Sequence, residues 1–346
     1  MFLSIWPNVK MIQKCILYSI YHDKFNLIVS RRKIIVTRLF IIGNGFDVSH
    51  GLKTTYEDFH NYLKKEYPDA KGDEPKLPES TEMPDGSEEY DENEIAGFLM
   101  YLISKTELGG DKWSDLENSL GLLDFDEFFD YLPDIFDRDG DHDYWHEMYN
   151  NQDQALNLVI PTEKITEFFS DWINTIKINK NTPINHNFVR LMNDKSDMFL
   201  TFNYTKTLEI LYHAKKACHI HGVQGEQLLF GHGDDTDKTD YYQGKYTGSE
   251  DSLQKIQSDL RKDTASALNE HSDFFDMLSS SVDRIYSYGF SFSDVDKIYI
   301  QEICHRISTD NVVWYLNDFD CSTQRKRYKK VIMDCGFKGK FDIFHT

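Results

Sequence analysis

The run Leu39-Phe40-Ile41-Ile42-Gly43-Asn44-Gly45-Phe46-Asp47, followed by Val48-Ser49-His50-Gly51-Leu52, carries the strongest structural signal in the chain. Four apolar residues in a row, ended by glycine, predict a short strand buried on both faces, as inside a parallel sheet. The strand runs into a Gly-x-Gly turn, and the helical spacing Tyr56, Phe59, Tyr62, Leu63 follows. Strand, glycine turn and helix are the parts of a nucleotide site. Glycine lets the backbone approach a diphosphate, and a helix start offers unpaired N–H groups to an anion. The spacing Gly43, Gly45, Gly51 is not G-x-G-x-x-G, so the turn alone is a weak motif.

The 346 residues are 40% hydrophobic and 14% aromatic, the composition of a globular protein with one large domain or two. A net charge of -20 argues against a general nucleic-acid binder or a protein held on an anionic membrane, since both surfaces would repel it. The five cysteines (Cys15, Cys218, Cys304, Cys321, Cys335) are scattered, with no C-x-x-C pair. That pattern fits a reduced, cytoplasmic protein with neither a disulfide frame nor a cysteine zinc site. Residues 1–38 depart from the rest, with seven Lys/Arg against the single Asp23. Lys10, Lys14, His22, Asp23 and Lys24 break up their apolar residues, so neither a signal peptide nor a spanning helix fits. This basic extension reads either as translated sequence upstream of a native start at Val36 or as an extra element on the sheet edge.

Residues 39–346 read as a single α/β domain. Residues 66–94 hold twelve Asp/Glu among Pro68, Pro75, Pro78 and Pro84, which predicts a solvated acidic loop. Residues 95–193 show helical clusters and no strand alternation, so they read as a helical insertion after the first strand–helix unit. The best face is Ile165, Phe168, Phe169, Trp172, Ile173, Ile176, with Pro161-Thr162-Glu163 expected as its start. From 197 onward short apolar runs alternate with helices: strands at 198–202, 217–221, 228–231, 284–288, 312–316 and 341–344, with helices at 205–216, 252–281, 294–307 and 321–335. This alternation predicts a Rossmann-like parallel sheet covered by helices. Ligands of such sheets bind beyond the carboxyl ends of the strands.

Those ends carry a set of small and polar residues: Gly43 to Asp47, Asn203-Tyr204-Thr205, His221-Gly222, Gly231-His232-Gly233, and Gly289-Phe290-Ser291-Phe292-Ser293-Asp294. Any one of them fits a cap or a turn; five together are more than a fold requires. With Trp113-Ser114-Asp115-Leu116-Glu117, Phe202 to Glu209 and His219-Ile220-His221-Gly222, the chain resembles the bacteriophage abortive infection AbiH family from about residue 39 to 300. More distantly it resembles sirtuin-like NAD-binding proteins. Gly43, Gly45, Gly51 and Leu52 fall on the spacing of their glycine loop, Asn203 on their inner-strand Asn, and His221-Gly222 on their catalytic His-Gly. The departures are Asp47 where that loop has Ser, Lys53 where it has Pro, and Thr205 where an Asp often stands. The paired C-x-x-C module of protein deacylases is missing.

The resemblance implies a phage-defence protein that binds NAD and cleaves its nicotinamide–ribose bond, with no metal. His221 would be the base, since imidazole titrates near neutrality, and Asn203 would position water. Gly43, Asn44, Gly45, Phe46 and Asp47 would hold the pyrophosphate, and Thr205, Gly222, Gly289, Ser291 and Asp294 would line the rest of the cofactor site. A phage-derived trigger or partner defence protein is implied, with homo-oligomerisation open. Two other readings stay open: a sensor that binds NAD or ADP-ribose without catalysis, and a metal-dependent hydrolase using His219, His221 and His232, because strand residues two apart share a face.

Overall fold

A computed structural model describes residues 37–107, 113, 115–193, 196–215, 217–278 and 282–346. The basic extension lies outside these residues, except for Thr37 and Arg38 at the start of the first strand. In chain order, β1 (Thr37–Ile42) leads into α1 (Asn44–Ser49) and α2 (Tyr56–Glu66), then a hairpin of β2 (Ser80–Glu82) and β3 (Glu88–Tyr90). Helices α3 (Glu92–Thr106), α4 (Leu116–Leu120), α5 (Asp126–Asp130), α6 (Tyr144–Thr175) and α7 (His186–Leu191) form the insertion. The second half runs β4 (Met198–Thr201), α8 (Thr207–Tyr212), β5 (Ala217–His219), α9 (Thr239–Lys245), α10 (Glu250–Asp259), α11 (Thr264–Glu270) and α12 (Ser272–Asp276). It closes with β6 (Val282–Tyr288), α13 (Lys297–Arg306), β7 (Val313–Asn317), α14 (Ser322–Asp334) and β8 (Lys340–Phe344).

The main sheet has the order β5-β4-β1-β6-β7-β8 and every pairing in it is parallel. Counted along the chain within this sheet, that is 3-2-1-4-5-6, the order of doubly wound dinucleotide-binding sheets. The Rossmann-like α/β architecture read from the sequence is therefore present, and its switch point falls between β1 and β6.

The apolar run of β1 explains its place at the centre. Alternate residues feed opposite faces: Leu39 and Ile41 pack with Ile285 and Trp314, whereas Phe40 and Ile42 pack with Phe188 and Phe199. Phe40 stacks between Phe199 and Tyr286, each 5.0 Å away, and Tyr286 stacks on Tyr315 at 4.7 Å, so one aromatic row crosses four strands. A third cluster, including Phe59, Phe98, Phe128, Phe168, Phe169 and Trp172, joins α2 to the insertion. Thr55 begins α2 with a capping box: its hydroxyl accepts from the Asp58 amide at 3.1 Å, and the Asp58 carboxylate accepts from the Thr55 amide at 3.1 Å. Thr55→Ala is expected to cost about 1 kcal/mol in urea unfolding.

The structure corrects several boundaries. The acidic loop contains the β2–β3 hairpin, turned at Asp85-Gly86, where Gly86 has φ +82°; its strand residues are polar or charged apart from Tyr90, so no apolar alternation announces it. Pro161 does not start a helix but lies inside the 32-residue α6. A proline there removes one backbone donor, whose partner would be the carbonyl of the exposed Asn157, free to be solvated. Residues 228–231 form no strand; His232 makes a single bridge with Arg261 instead. The helical stretch predicted at 252–281 is three helices, and the polar loop before it contains α9.

Candidate functional site

A cavity of about 1060 Å³ opens at the switch point. Gly43, Asn44, Gly45, Asp47, Asn203, Thr205, His221, Gly289, Ser291 and Asp294 all line it. These predicted site residues come from four strand ends, and the fold brings them to one place. Two others lie elsewhere. Phe46 is fully buried in the core between Phe188, Tyr212 and Tyr288. Gly222 lines a second cavity of about 870 Å³ beside β5. With φ +82° and the Gln227 carbonyl 2.2 Å from where a Cβ would stand, Gly222 serves a turn.

The Gly-x-Gly turn does something other than expose its amides. Gly43 N–H donates to the Tyr288 carbonyl and Gly45 N–H to the Gly289 carbonyl, each at 3.0 Å. A Cβ on Gly43 would lie 2.5 Å from the Gly289 oxygen, so these glycines let two loops touch, backbone to backbone. The turn is stitched to β6, and the amide groups expected to cradle a phosphate are partly spent on that stitch.

Asn203 and His221 are buried at 5% and 3% exposure. The His221 ring sits among Phe202 and Tyr299, with centroids 5.2 and 5.7 Å away. Its Nε2 stands 3.4 Å from Asp296 Oδ1. Neither of these two atoms has a hydrogen-bond partner, nor do Asn203 Oδ1 and Asp47 Oδ1. Buried polar atoms without partners are costly, and their grouping around a cavity marks a place built to receive a ligand or water. Burial and the nearby Lys262 charge lower the His221 pKa, so the imidazole is neutral at physiological pH. Asp296 is held ionised: burial opposes this, but the Lys262 ammonium and the His221 contact outweigh it.

Asp47 pairs with Thr205, whose hydroxyl donates to Oδ2 at 2.5 Å and lies 2.8 Å from the Thr207 hydroxyl. Burial raises the Asp47 pKa against these hydrogen bonds. A carboxyl raised in the folded state contributes stability below its unfolded value, near 3.8, and loses it as pH rises through the folded value. Asp47→Asn is therefore expected to raise the melting temperature more at pH 8 than at pH 4.5. An equal change at both would contradict the assignment.

Three functional groups escaped the sequence reading as site residues. Lys262, from the loop after α10, is 4% exposed; it reaches Glu117 at 2.9 Å and Asp296 at 3.7 Å. Glu117 lies in the quoted Trp113 to Glu117 motif, and the positive φ of the buried Trp113 (47°) marks a constrained backbone there. Asp296 follows the strand end already singled out. The histidine cluster does not converge. His219 spends Nε2 on Glu209 and Nδ1 on the Asn203 carbonyl. His232 spends its ring nitrogens on the Gln257 carbonyl and the Asp234 amide. Among the described residues no group of three or more His, Cys, Asp or Glu is placed to hold a metal ion.

The strand order, with a cavity at its switch point, defines a doubly wound, Rossmann-like α/β protein. The chain belongs to the bacteriophage abortive infection AbiH family, whose family model matches residues 39–318. Membership supports an abortive-infection, anti-phage role. Searches of curated proteins and of solved structures return no match. Among the described residues no helix is long and apolar enough to cross a membrane.

Proposed function

We propose that the cavity binds NAD and cleaves its nicotinamide–ribose bond, so that the protein stops phage by draining the NAD pool. The observation that carries this reading is the grouping of Asn203, His221 and Asp296, each with an unpartnered buried atom, at the switch point of the sheet. Hydrolysis consumes NAD and water and yields nicotinamide, ADP-ribose and a proton. Positive charge develops on the ribose as the bond breaks, and the Asp296 and Glu117 carboxylates lining the cavity favour it. A neutral His221 can take the proton from water or a ribose hydroxyl, and the Asn203 amide can position that group. With the Gly43 and Gly45 amides tied to the end of β6 and the loop after it, and the Phe46 amide to the Gly43 carbonyl, the diphosphate falls to Ser291 and the Arg327 guanidinium at the rim.

Two departures from the sirtuin-like pattern also meet in space. Asp47 stands where the loop has Ser and Thr205 where an Asp often stands, and these two side chains are hydrogen-bonded to each other. One carboxylate and one hydroxyl are thus kept with their positions exchanged, which supports the likeness.

A second reading, binding of NAD or ADP-ribose without turnover, is favoured by the depth of His221 and Asn203, which leaves little of either side chain open to a ligand. Purified protein incubated with NAD, with free nicotinamide followed by chromatography and binding by calorimetry, separates the two. Release supports the hydrolase. Binding without release, with and without phage-infected cell extract, supports the sensor. Neither binding nor release overturns both.

A further inference from the structure

A fully buried lysine between two carboxylates is expensive to build, because each ion loses its hydration and recovers it only through close, well-placed partners. Lys262 is such a group. Its ammonium lies 2.9 Å from Glu117 Oε1 and 3.7 Å from Asp296 Oδ1. That same Asp296 oxygen is the atom 3.4 Å from His221 Nε2, while the other carboxylate oxygen accepts from the Ser293 hydroxyl at 2.7 Å. Its backbone is fixed as well: Lys262 N–H donates to the His232 carbonyl and His232 N–H to the Leu260 carbonyl. The chain of contacts therefore runs from Glu117 on α4, through Lys262 after α10, to Asp296 before α13 and to the imidazole after β5.

We propose that the Glu117–Lys262 pair is the positioning device of this site: it pins the Asp296 carboxylate beside the His221 ring and ties the helical insertion electrostatically to the imidazole. The proposal rests on His221 being the base of the proposed reaction, but the arrangement can be tested without any turnover. The charged and titratable groups facing the ring are Asp296 from the loop before α13, Lys262 from the loop after α10, Glu117 from α4, Tyr204 from the loop after β4 and Tyr299 from α13. The two tyrosines stay neutral at physiological pH, since burial pushes both well above their usual range. The balance on the imidazole is thus set by Lys262 against Glu117 and Asp296. Because Glu117 belongs to the insertion, a displacement of α4 would change that balance, which gives a partner of the insertion a route to the site.

The test is an NMR titration of protein labelled at the histidine ring carbons, with the His221 signal assigned by His221→Gln. Lys262→Met removes a positive charge near the ring, so the His221 midpoint should rise by roughly one to two pH units. Glu117→Gln removes a negative charge and should lower it, while Lys262→Arg should leave it near wild type. Opposite shifts from the two partners are what a purely structural role would not produce. An unmoved midpoint in folded Lys262→Met, or shifts of the same sign in both variants, overturns the proposal. If Lys262→Met does not fold, Glu117→Gln decides: a lowered midpoint supports the device, and an unchanged or raised one overturns it. If nicotinamide is released, the pH profile of its kcat should move with the midpoint. If it is not, the titration still stands as the readout.

Discussion

His221→Ala is expected to reduce the release of nicotinamide from NAD at least a hundredfold, with NAD binding weakened far less. A positioned base contributes on the order of 10²–10⁴ to a rate, and His221 is the only imidazole lining the cavity at the switch point among the described residues. Its replacement should lower kcat more than it raises KM, because in the proposed reaction the ring would act on a proton and offer the dinucleotide little contact. Asn203→Ala should fall in the same direction, as its side chain stands at the end of β4 with an oxygen that no protein group satisfies. Both variants should keep the wild-type circular dichroism spectrum, since each truncation removes a side chain that lines the cavity. A His221→Ala protein that releases nicotinamide at the wild-type rate would show that another group is the base, or that none is needed.

The second large effect is structural. Gly289→Ala should cost about 2–5 kcal/mol, enough to lower the urea midpoint sharply or to leave the protein insoluble. Gly289 has φ +65°, and a Cβ there would stand 2.3 Å from the Phe46 nitrogen and 2.5 Å from the Gly45 carbon. Both atoms are backbone, so nothing flexible can give way. Gly51→Ala is the matching control: its φ is +75°, but nothing lies within 4 Å of its Cβ position. It should therefore carry the left-handed strain alone, about 1–2 kcal/mol. If the two substitutions cost the same, the close approach of the β1 and β6 loops is not what Gly289 provides.

The contrast between these two glycines also shows what the sequence could and could not reveal. The apolar run at 39–42 and the strand–helix alternation after 197 gave the parallel sheet, because burial on both faces leaves a continuous apolar signature. The strand-end rule then gathered part of the cavity's polar lining, among it Asn44, Asp47, Asn203, Thr205, His221, Ser291 and Asp294. Exposed features stayed hidden: the β2–β3 hairpin strands are polar or charged apart from Tyr90, and their pairing leaves no alternation to read. Pro161 misled for the opposite reason, since a proline usually marks a helix start and here sits in the middle of α6. Lys262 and Glu117 could not be found by periodicity at all. They are 145 positions apart, and only the folded chain shows that each is the other's partner. The histidines reversed the lesson. His219 and His221 stand two apart on a predicted strand, a spacing that suits a metal, but the rings of His219 and of His232 are committed to neighbours that no spacing rule counts.

The central position of β1 has a consequence for how the chain is made. β1 pairs with β4 in the register Leu39↔Met198 and with β6 in the register Ile42↔Tyr288, so its partners are encoded far downstream. At ribosomal speeds of about 5–20 residues per second, its first partner strand leaves the ribosome on the order of ten to thirty seconds after it does. During that interval a strand with four apolar residues in a row has no sheet to join, and the cavity has no second wall. Every new copy thus passes through a period in which its central strand is unpaired and its apolar side chains are exposed. A cell carrying this gene would be expected to lean on its chaperones for yield, and an incomplete chain released early would carry the glycine turn without the imidazole.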